Sequence, residues 1–528
     1  MKSASIAAAL LVLSALASCG GSPPQIVDYS PERGAIDVST AAPILITFDH
    51  DVDKSSVESR LSLLPATGGS VVWLGPRSLE YKHATLQPSK IYEVVLLAGY
   101  RDHAGNAYAL RHHWTFTTEG PPNVASSTPA NNETDVDPAS YLSIDFTREM
   151  DSTTLGGAIT IEPSVPFSVR LDPTDAKRAL VATDSLLDPS TAYTVDVSTA
   201  ALDAHGNQLD RNQSFVFTTG PSRPLRHWVA FATSLADGSS GGVWIVNESG
   251  FPRRVFDGSS VHSFSWSPEG SSLLIQGDAL SWSAFTPSVG STQLPFKAAW
   301  AAALASGLGY VYVDTSATLH RLSVDGADEV IATNVTGAAC APNGLRVAYV
   351  RSSGTASTVW GYDVGLRSRY ELSTESGPLS DLSWSPAANR IAYLREDPGG
   401  ISLRVRSFSG QAATTTIASG DIGHPTWLPD STHLVFAAAI ATVSGQMRKA
   451  FLVNAIAPPS ALTAALAIPS PPIDVADPVP SPDGHQIAFV SQNQVWMMNA
   501  DGTRPTALTR FDAASFPYSC LTPAWTRL

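Results

Sequence analysis

Two internal periodicities constrain what this chain can fold into. Between residues 25 and 220 the sequence repeats itself once. Ser30-Pro31 returns as Thr128-Pro129 and Asp37-Val38 as Asp135-Val136. Ile46-Thr47-Phe48 with Val52-Asp53 returns as Ile144-Asp145-Phe146 with Met150-Asp151, each at a shift of 98 residues. Further on the shift becomes 101: Leu86-Gln87-Pro88-Ser89 with Tyr92 and Val94 returns as Leu187-Asp188-Pro189-Ser190 with Tyr193 and Val195. Asp102 with Gly105-Asn106 matches Asp203 with Gly206-Asn207, and Trp114-Thr115-Phe116-Thr117-Thr118 matches Phe215-Val216-Phe217-Thr218-Thr219. This is the signature of one small domain present twice, with a small insertion in the second copy.

A shorter unit recurs after the linker Pro221-Ser222-Arg223-Pro224. Ser265-Trp266-Ser267-Pro268, Cys340-Ala341-Pro342-Asn343-Gly344, Ser383-Trp384-Ser385-Pro386, Trp427-Leu428-Pro429-Asp430 and Pro480-Ser481-Pro482-Asp483-Gly484 each precede a β-branched or apolar run such as Val347-Ala348-Tyr349-Val350. A strand ends at Trp-Ser, a Pro-rich turn reverses the chain, and a further hairpin completes a four-stranded blade. Anchors near 266, 300, 340, 384, 427, 480 and 525 are spaced on the scale of propeller blades. Trp228-Val229-Ala230-Phe231 is a second strand without a first, and Pro523-Ala524-Trp525 is a first strand without a successor. Pairing them closes the ring and removes its edges. Seven blades are expected, or six if the degenerate stretch 298–335 is not a full blade. Residues 455–475 read as a loop inserted in the sixth blade.

In each 100-residue copy, Tyr92, Val94 and Leu96 alternate with Glu93 and Val95, and Tyr193, Val195 and Val197 with Thr194 and Asp196, the period of a half-buried strand. Ala104-Gly105-Asn106 and His205-Gly206-Asn207 supply residues that tolerate positive φ. The fold class is therefore all-β: two tandem sandwiches of Ig-like size, then a C-terminal propeller. The Ser/Thr-Pro opening, the Ile-x-Phe strand and the closing Phe-x-Thr-Thr strand resemble the bacterial Ig-like domain of the S-layer type, which implies spacer or adhesion modules without catalysis. The Trp-Ser-Pro and Pro-Asp-Gly units resemble the WD-like repeats of the TolB-type propeller. The expected division is 25–119 and 120–222 for the Ig-like copies and 223–528 for the propeller.

Lys2 followed by the 12-residue apolar run Ile6 to Ala17 has the form of an export signal; a membrane-spanning helix needs about 20 residues. The run ends in Leu16-Ala17-Ser18-Cys19, which resembles the lipobox of bacterial lipoproteins. That resemblance implies a signal peptide over 1–18, a lipidated thiol at Cys19, a flexible tether over 19–24, and anchoring by acyl chains. Gly20, where enteric-type sorting to the inner membrane uses Asp, points to the outer membrane, at its periplasmic face or the cell surface. Of three cysteines, Cys340 and Cys520 remain, and an oxidising compartment leaves their pairing open.

Charge narrows the partners. Lys and Arg total 33 against 47 Asp and Glu, a net charge of −14, and no Lys/Arg-rich run is present, which excludes a nucleic-acid binder. Chemistry is sparse. Gly238-Ser239-Ser240-Gly241-Gly242 matches a nucleophile elbow in form, but that motif needs a strand, a sharp turn and a helix, and here it falls in a Gly/Ser loop. Counted from Asp49, the acidic run Asp49-Asp51-Asp53 lacks the Gly and Glu of an EF-hand loop, so it reads as a solvated turn. His112 and His113, adjacent on a strand, point to opposite faces. His424, three residues before Trp427, is a candidate channel residue. No catalytic, metal or cofactor residues are assigned. The expected function is a lipid-anchored, non-catalytic envelope protein whose propeller loops bind a protein or glycan. A propeller hydrolase or lyase with a channel site, and a purely structural surface component, are the alternatives.

Overall fold

The structure, a computed structural model, describes residues 21–528 except 222, 236, 259, 278–280, 285–290, 409–413, 443–444, 459–465, 468–473, 512–517 and 528. Cys19 and the export signal lie outside the described residues. No helix among the described residues is long and apolar enough to cross a membrane.

The first repeat is a sandwich. One sheet runs in the order Ile26–Ser30, Ile44–Phe48, Ser78–His83, Gly69–Trp73; the other holds Leu61–Leu64, Ile91–Leu96 and His112–Thr117. The second repeat lays out the same plan, with Phe167–Asp172, Asp175–Thr183, Leu142–Phe146 and Val124–Thr128 facing Ile159–Glu162, Ala192–Val197, Gln213–Thr219 and Glu133–Val136. The residues that made the repeat visible are those that build it. Ile46, Phe48, Tyr92, Val94, Leu96, Trp114 and Phe116 fill one core, and Ile144, Phe146, Tyr193, Val195, Val197, Phe215 and Phe217 fill the other. The Tyr92 hydroxyl accepts from the Gln87 N–H at 3.0 Å and the Tyr193 hydroxyl from the Asp188 N–H at 2.9 Å, which ties each strand to the turn before it. Asp53 and Asp151 cap the short helices Lys54–Glu58 and Ser152–Ala158, accepting from Ser56 N–H and Thr153 N–H. The acid of the Asp49-Asp51-Asp53 run that recurs is thus a helix cap.

Both joints between domains are packed. Glu119, just past the last strand of the first copy, has a nearly buried carboxylate. It accepts from the Arg148 guanidinium (2.9 Å), the Asn207 amide (3.2 Å) and the Thr40 N–H (3.0 Å), and sits 2.7 Å from His205 Nδ1. Arg148 also meets Asp37 of the first copy. At the next joint, Ala139 and Leu186 of the second copy share one apolar cluster with Leu225, Trp228 and Trp266. Arg253 is buried there, donates to the Ser140 carbonyl at 2.7 Å and lies over the Trp228 ring; burial pushes its guanidinium down to about 10.

Seven four-stranded antiparallel sheets follow. Their first strands are Val261–Trp266, Trp300–Ala303, Val335–Cys340, Leu379–Trp384, Ile422–Trp427, Ala476–Pro480 and, for the sheet containing Val229–Leu235, Tyr518–Trp525. Successive first strands lie side by side right round, and Tyr518–Trp525 touches both the strand before it and Val261–Trp266. The ring is closed by pairing the two ends of the domain, Val229 opposite Trp525.

Two sequence readings change. Trp300 is not the anchor of its blade. Leu273, Val347, Ile391, Leu434 and Ile487 each pair with the last residue of the preceding strand, and in the degenerate blade Tyr310 pairs with Ala303. The indole at 300 drew the anchor three residues early, because Ala303 offers no pattern to read. Nor is 455–475 only a loop: Leu466–Ala467 pairs with Phe451 and Leu452 as the fourth strand of the sheet that Ile422–Trp427 begins.

Candidate functional site

The innermost strands share one register, which their last residues define: Trp266, Ala303, Cys340, Trp384, Trp427, Pro480 and Trp525. Where that residue is Trp, its indole N–H donates to a carbonyl on the neighbouring innermost strand. Trp266 reaches Ala524 (3.0 Å), Trp384 reaches Ala339 (2.9 Å), Trp427 reaches Ser383 (3.0 Å) and Trp525 reaches Val479 (2.8 Å). Cys340 points its thiol at the Ala303 carbonyl from 3.9 Å. Four residues further on, Gly270, Gly307, Gly344, Ala388, Ser431 and Gly484 all have positive φ, so six turns share one shape. In each, the N–H after the anchor bonds the carbonyl five residues on, as Ser267 does to Ser272. The seventh turn has no continuous chain: Thr526 N–H bonds the Trp228 carbonyl instead, at 2.8 Å. Ring closure therefore rebuilds by contact what the other blades build by sequence.

Three residues before the anchor the ring is uneven. Asp381, His424, Asp477 and Thr522 stand there on four successive innermost strands, all with φ between 43° and 50°. The strand pairing skips at each of them. The other three strands carry Ser263, Trp300 and Gly337 at this place, none with positive φ. A left-handed backbone costs an ordinary residue roughly 1–2 kcal/mol, and such outliers cluster where function demands them. His424 Nδ1 lies 2.6 Å from Asp477 Oδ1. That hydrogen bond raises the imidazole above its ordinary value against the opposing effect of burial; the charges of Asp477 and Asp381 add to the rise and Arg448 subtracts from it. The His424 side chain is about half exposed, so this arc is open to a ligand.

One side chain reaches across the turn side of the ring. Arg527, next to Thr526 on the turn side, donates from Nη1 to the Pro342 carbonyl at 3.1 Å. Pro342 belongs to the turn of the sheet three places round, so the Arg527 side chain spans the inside of the ring. Burial depresses the Arg527 guanidinium, and the same seclusion pushes the Cys340 thiol beside it up to about 11.

The remaining candidates disperse. Ser240 begins the strand Ser240–Val246, which pairs with its neighbours in an ordinary sheet, and Gly238 makes the turn; no helix follows. His112 stacks on Tyr108 while His113 sits 2.8 Å from Glu93, on the other face. Cys340 and Cys520 are free thiols in different sheets. Among the described residues one group has metal-ligand spacing, Glu119, Asp203 and His205. Its oxygens are already engaged: Asp203 holds the Asn207 turn and Glu119 holds the domain joint. A polar cleft of about 410 Å³ lies at the seam of the ring, lined by His227, Glu248, Asp483 and His485 among others. His424 was legible in the sequence as a channel candidate. Asp381 and Asp477 were not, because their place depends on a register that only the anchors of neighbouring blades define.

Residues 21–118 and 119–219 each match the bacterial Ig-like domain family. No curated protein matches the chain. Among solved structures the chain is similar to TolB from Acinetobacter baumannii, at 13% identity over 70% of this chain and 83% of that one, with a TM-score of 0.39. It is also similar to the oligogalacturonate lyase of Vibrio parahaemolyticus, at 10% identity over 55% of this chain and 87% of that one, TM-score 0.39.

Proposed function

We propose that this chain, two bacterial Ig-like domains in tandem carrying a propeller, is a lipid-anchored envelope protein. In this reading Cys19 carries the acyl anchor in the outer membrane, the Ig-like pair is a stiff stalk, and the propeller binds a protein or glycan without catalysis. The observation that carries it is the pair of packed joints. A buried carboxylate clasped by Arg148, His205 and Asn207, then a shared apolar core around Trp228, fix the stalk to the ring. A scaffold that must present a binding ring at a set height needs such joints, and a free-standing soluble propeller does not. The binding mouth is the open one, edged by Asp381, His424, Asp477 and Thr522. The net charge of −14 argues against nucleic acid as its ligand.

Two experiments test this. Cys19→Ala should move the protein from the membrane fraction to the soluble fraction, and unchanged fractionation would defeat the anchor. Affinity capture with the full chain from envelope extract should recover a partner that an Asp381→Asn/Asp477→Asn variant of unchanged melting temperature does not.

One observation favours a second reading, a hydrolase or lyase in the channel: the imidazole of His424, raised and held by Asp477, has the form of an acid–base pair. Turnover of an envelope polysaccharide by the full chain, lost in His424→Ala, would decide for it.

A further inference from the structure

The two Ig-like copies serve as controls for each other. Leu74, Leu97 and Leu110 of the first copy are exposed (61%, 50% and 68%), as is Val27. At the matching places the second copy has Asp172, Ser198, Arg211 and Ala125. The second copy builds the same two sheets with these polar or small residues, so the fold does not require the leucines.

All four apolar residues belong to one end of the sandwich. Ile26 pairs with Phe48, Thr47 with Ser78 and Trp73 with Leu79, which places Val27 and Leu74 at the Phe48 end of the first sheet. Leu61 and His112 both pair with Leu96, which brings Leu97 and Leu110 to one end of the second sheet. The bridge between Val52 and Asp102 shows that the two ends coincide. The opposite end leads to the second copy. Gly21 lies at the apolar end: a Cβ there would stand 3.0 Å from Asn106 Nδ2. The described chain therefore begins, two positions after Cys19, beside these leucines. Three ion pairs lie at or beside this end, Arg77 with Asp51 at 3.0 Å, Arg101 with Asp53 at 3.0 Å and Arg111 with Glu93 at 3.2 Å, while Lys54 lies over the Trp73 ring and Asp28 is exposed. The distinctive chemistry of the end is apolar.

We propose that this end of the first domain is a membrane-seating surface, on which Leu74, Leu97 and Leu110 enter the interfacial layer of the bilayer that holds the acyl chains of Cys19. The inference rests on the anchor at Cys19 and adds that the stalk stands on the lipid through its own side chains. One residue, Gly20, separates Cys19 from Gly21, so an acyl anchor brings the bilayer within reach of this end. Apolar side chains partition into that layer in proportion to the area they remove from water. Seating through apolar side chains depends on the area buried and not on attraction to anionic lipid, so salt should leave it unchanged.

The test uses the full chain on phosphatidylethanolamine–phosphatidylglycerol vesicles, with an environment-sensitive thiol dye at Leu110→Cys or, as control, at Arg211→Cys. Dye uptake by the unsubstituted chain gives the background from Cys340 and Cys520. Intact mass reports separately whether Cys19 is acylated, and the acylated chain is the one labelled; an unmodified Cys19 in cells defeats the anchor and not the surface. The expected result is a blue shift at 110 that brominated acyl chains quench, with position 211 unchanged and salt without effect. Equal, aqueous emission at both positions on tethered chain overturns the surface while leaving the anchor standing. A blue shift that needs no vesicles and grows with protein concentration indicates self-association and overturns it too.

Discussion

Replacing Trp427 by Phe isolates the contact that holds the ring together. The indole of Trp427 is buried, and its N–H donates to the Ser383 carbonyl of the next blade at 3.0 Å. Phe keeps an aromatic ring in the same core but removes the donor. A buried carbonyl left without a partner costs about 1–3 kcal/mol, and a gap of at least methyl size where the pyrrole ring was costs roughly 1 kcal/mol more. The expected loss is therefore about 2–4 kcal/mol. At roughly 2–4 °C per kcal/mol for a domain of this order, the thermal midpoint of the full chain should fall by about 4–16 °C, read by near-UV circular dichroism or calorimetry. Trp300→Phe is the internal control, since that indole stands off the anchor register and is only half-buried. Its cost should stay below about 1 kcal/mol, as for most substitutions away from such features. Equal losses at 427 and 300 would refute the inter-blade role of the indole.

Other outcomes follow from the same geometry. Gly344→Ala must adopt φ near +67° and bring a methyl to 2.2 Å from the Ala305 nitrogen, so a loss of about 3 kcal/mol or more, seen as a lower urea midpoint, is expected. The His424 imidazole titrates above its ordinary value, so the His424–Asp477 pair contributes its stability in full below the unfolded imidazole pKa. The contribution is lost as pH rises through the raised folded value. Histidine NMR should show Asp477→Asn returning the titration downward, with a stability change of only about 0–1 kcal/mol because the pair is part-exposed. Arg527→Ala should open the turn-side mouth and speed alkylation of Cys340, read on its peptide by mass spectrometry, while Cys520 stays protected; no change would show that Arg527 does not close the ring.

How much of this was legible in the sequence depended on whether the signal was local. The Ig-like copies announced themselves because the repeated residues are core and tie residues: Tyr92 and Tyr193 bond the same turn, and Asp53 and Asp151 cap the same helix. The propeller was readable wherever Trp or a Pro-rich turn marked a strand end. It was misread at Trp300, where the true anchor is an alanine whose position is set by pairing with Tyr310. The acidic run at 49–53 showed its composition but not its role as a cap. Of the arc, His424 could be singled out, but its company with Asp381, Asp477 and Thr522 lay beyond reading, since these residues are about 43–53 apart and only a closed ring aligns them. The domain joints were equally silent: Glu119 and Arg253 are single charges whose partners lie on other domains.

The most direct test of the anchored scaffold is photo-crosslinking in living cells from a probe at Ser380, beside Asp381 at the open mouth, compared with a probe at Glu269 on the turn side that Arg527 closes. The account predicts a discrete envelope adduct from position 380 that Asp381→Asn/Asp477→Asn abolishes, and none from 269. An adduct from 269 alone, or one from 380 that survives the arc substitutions, would contradict it.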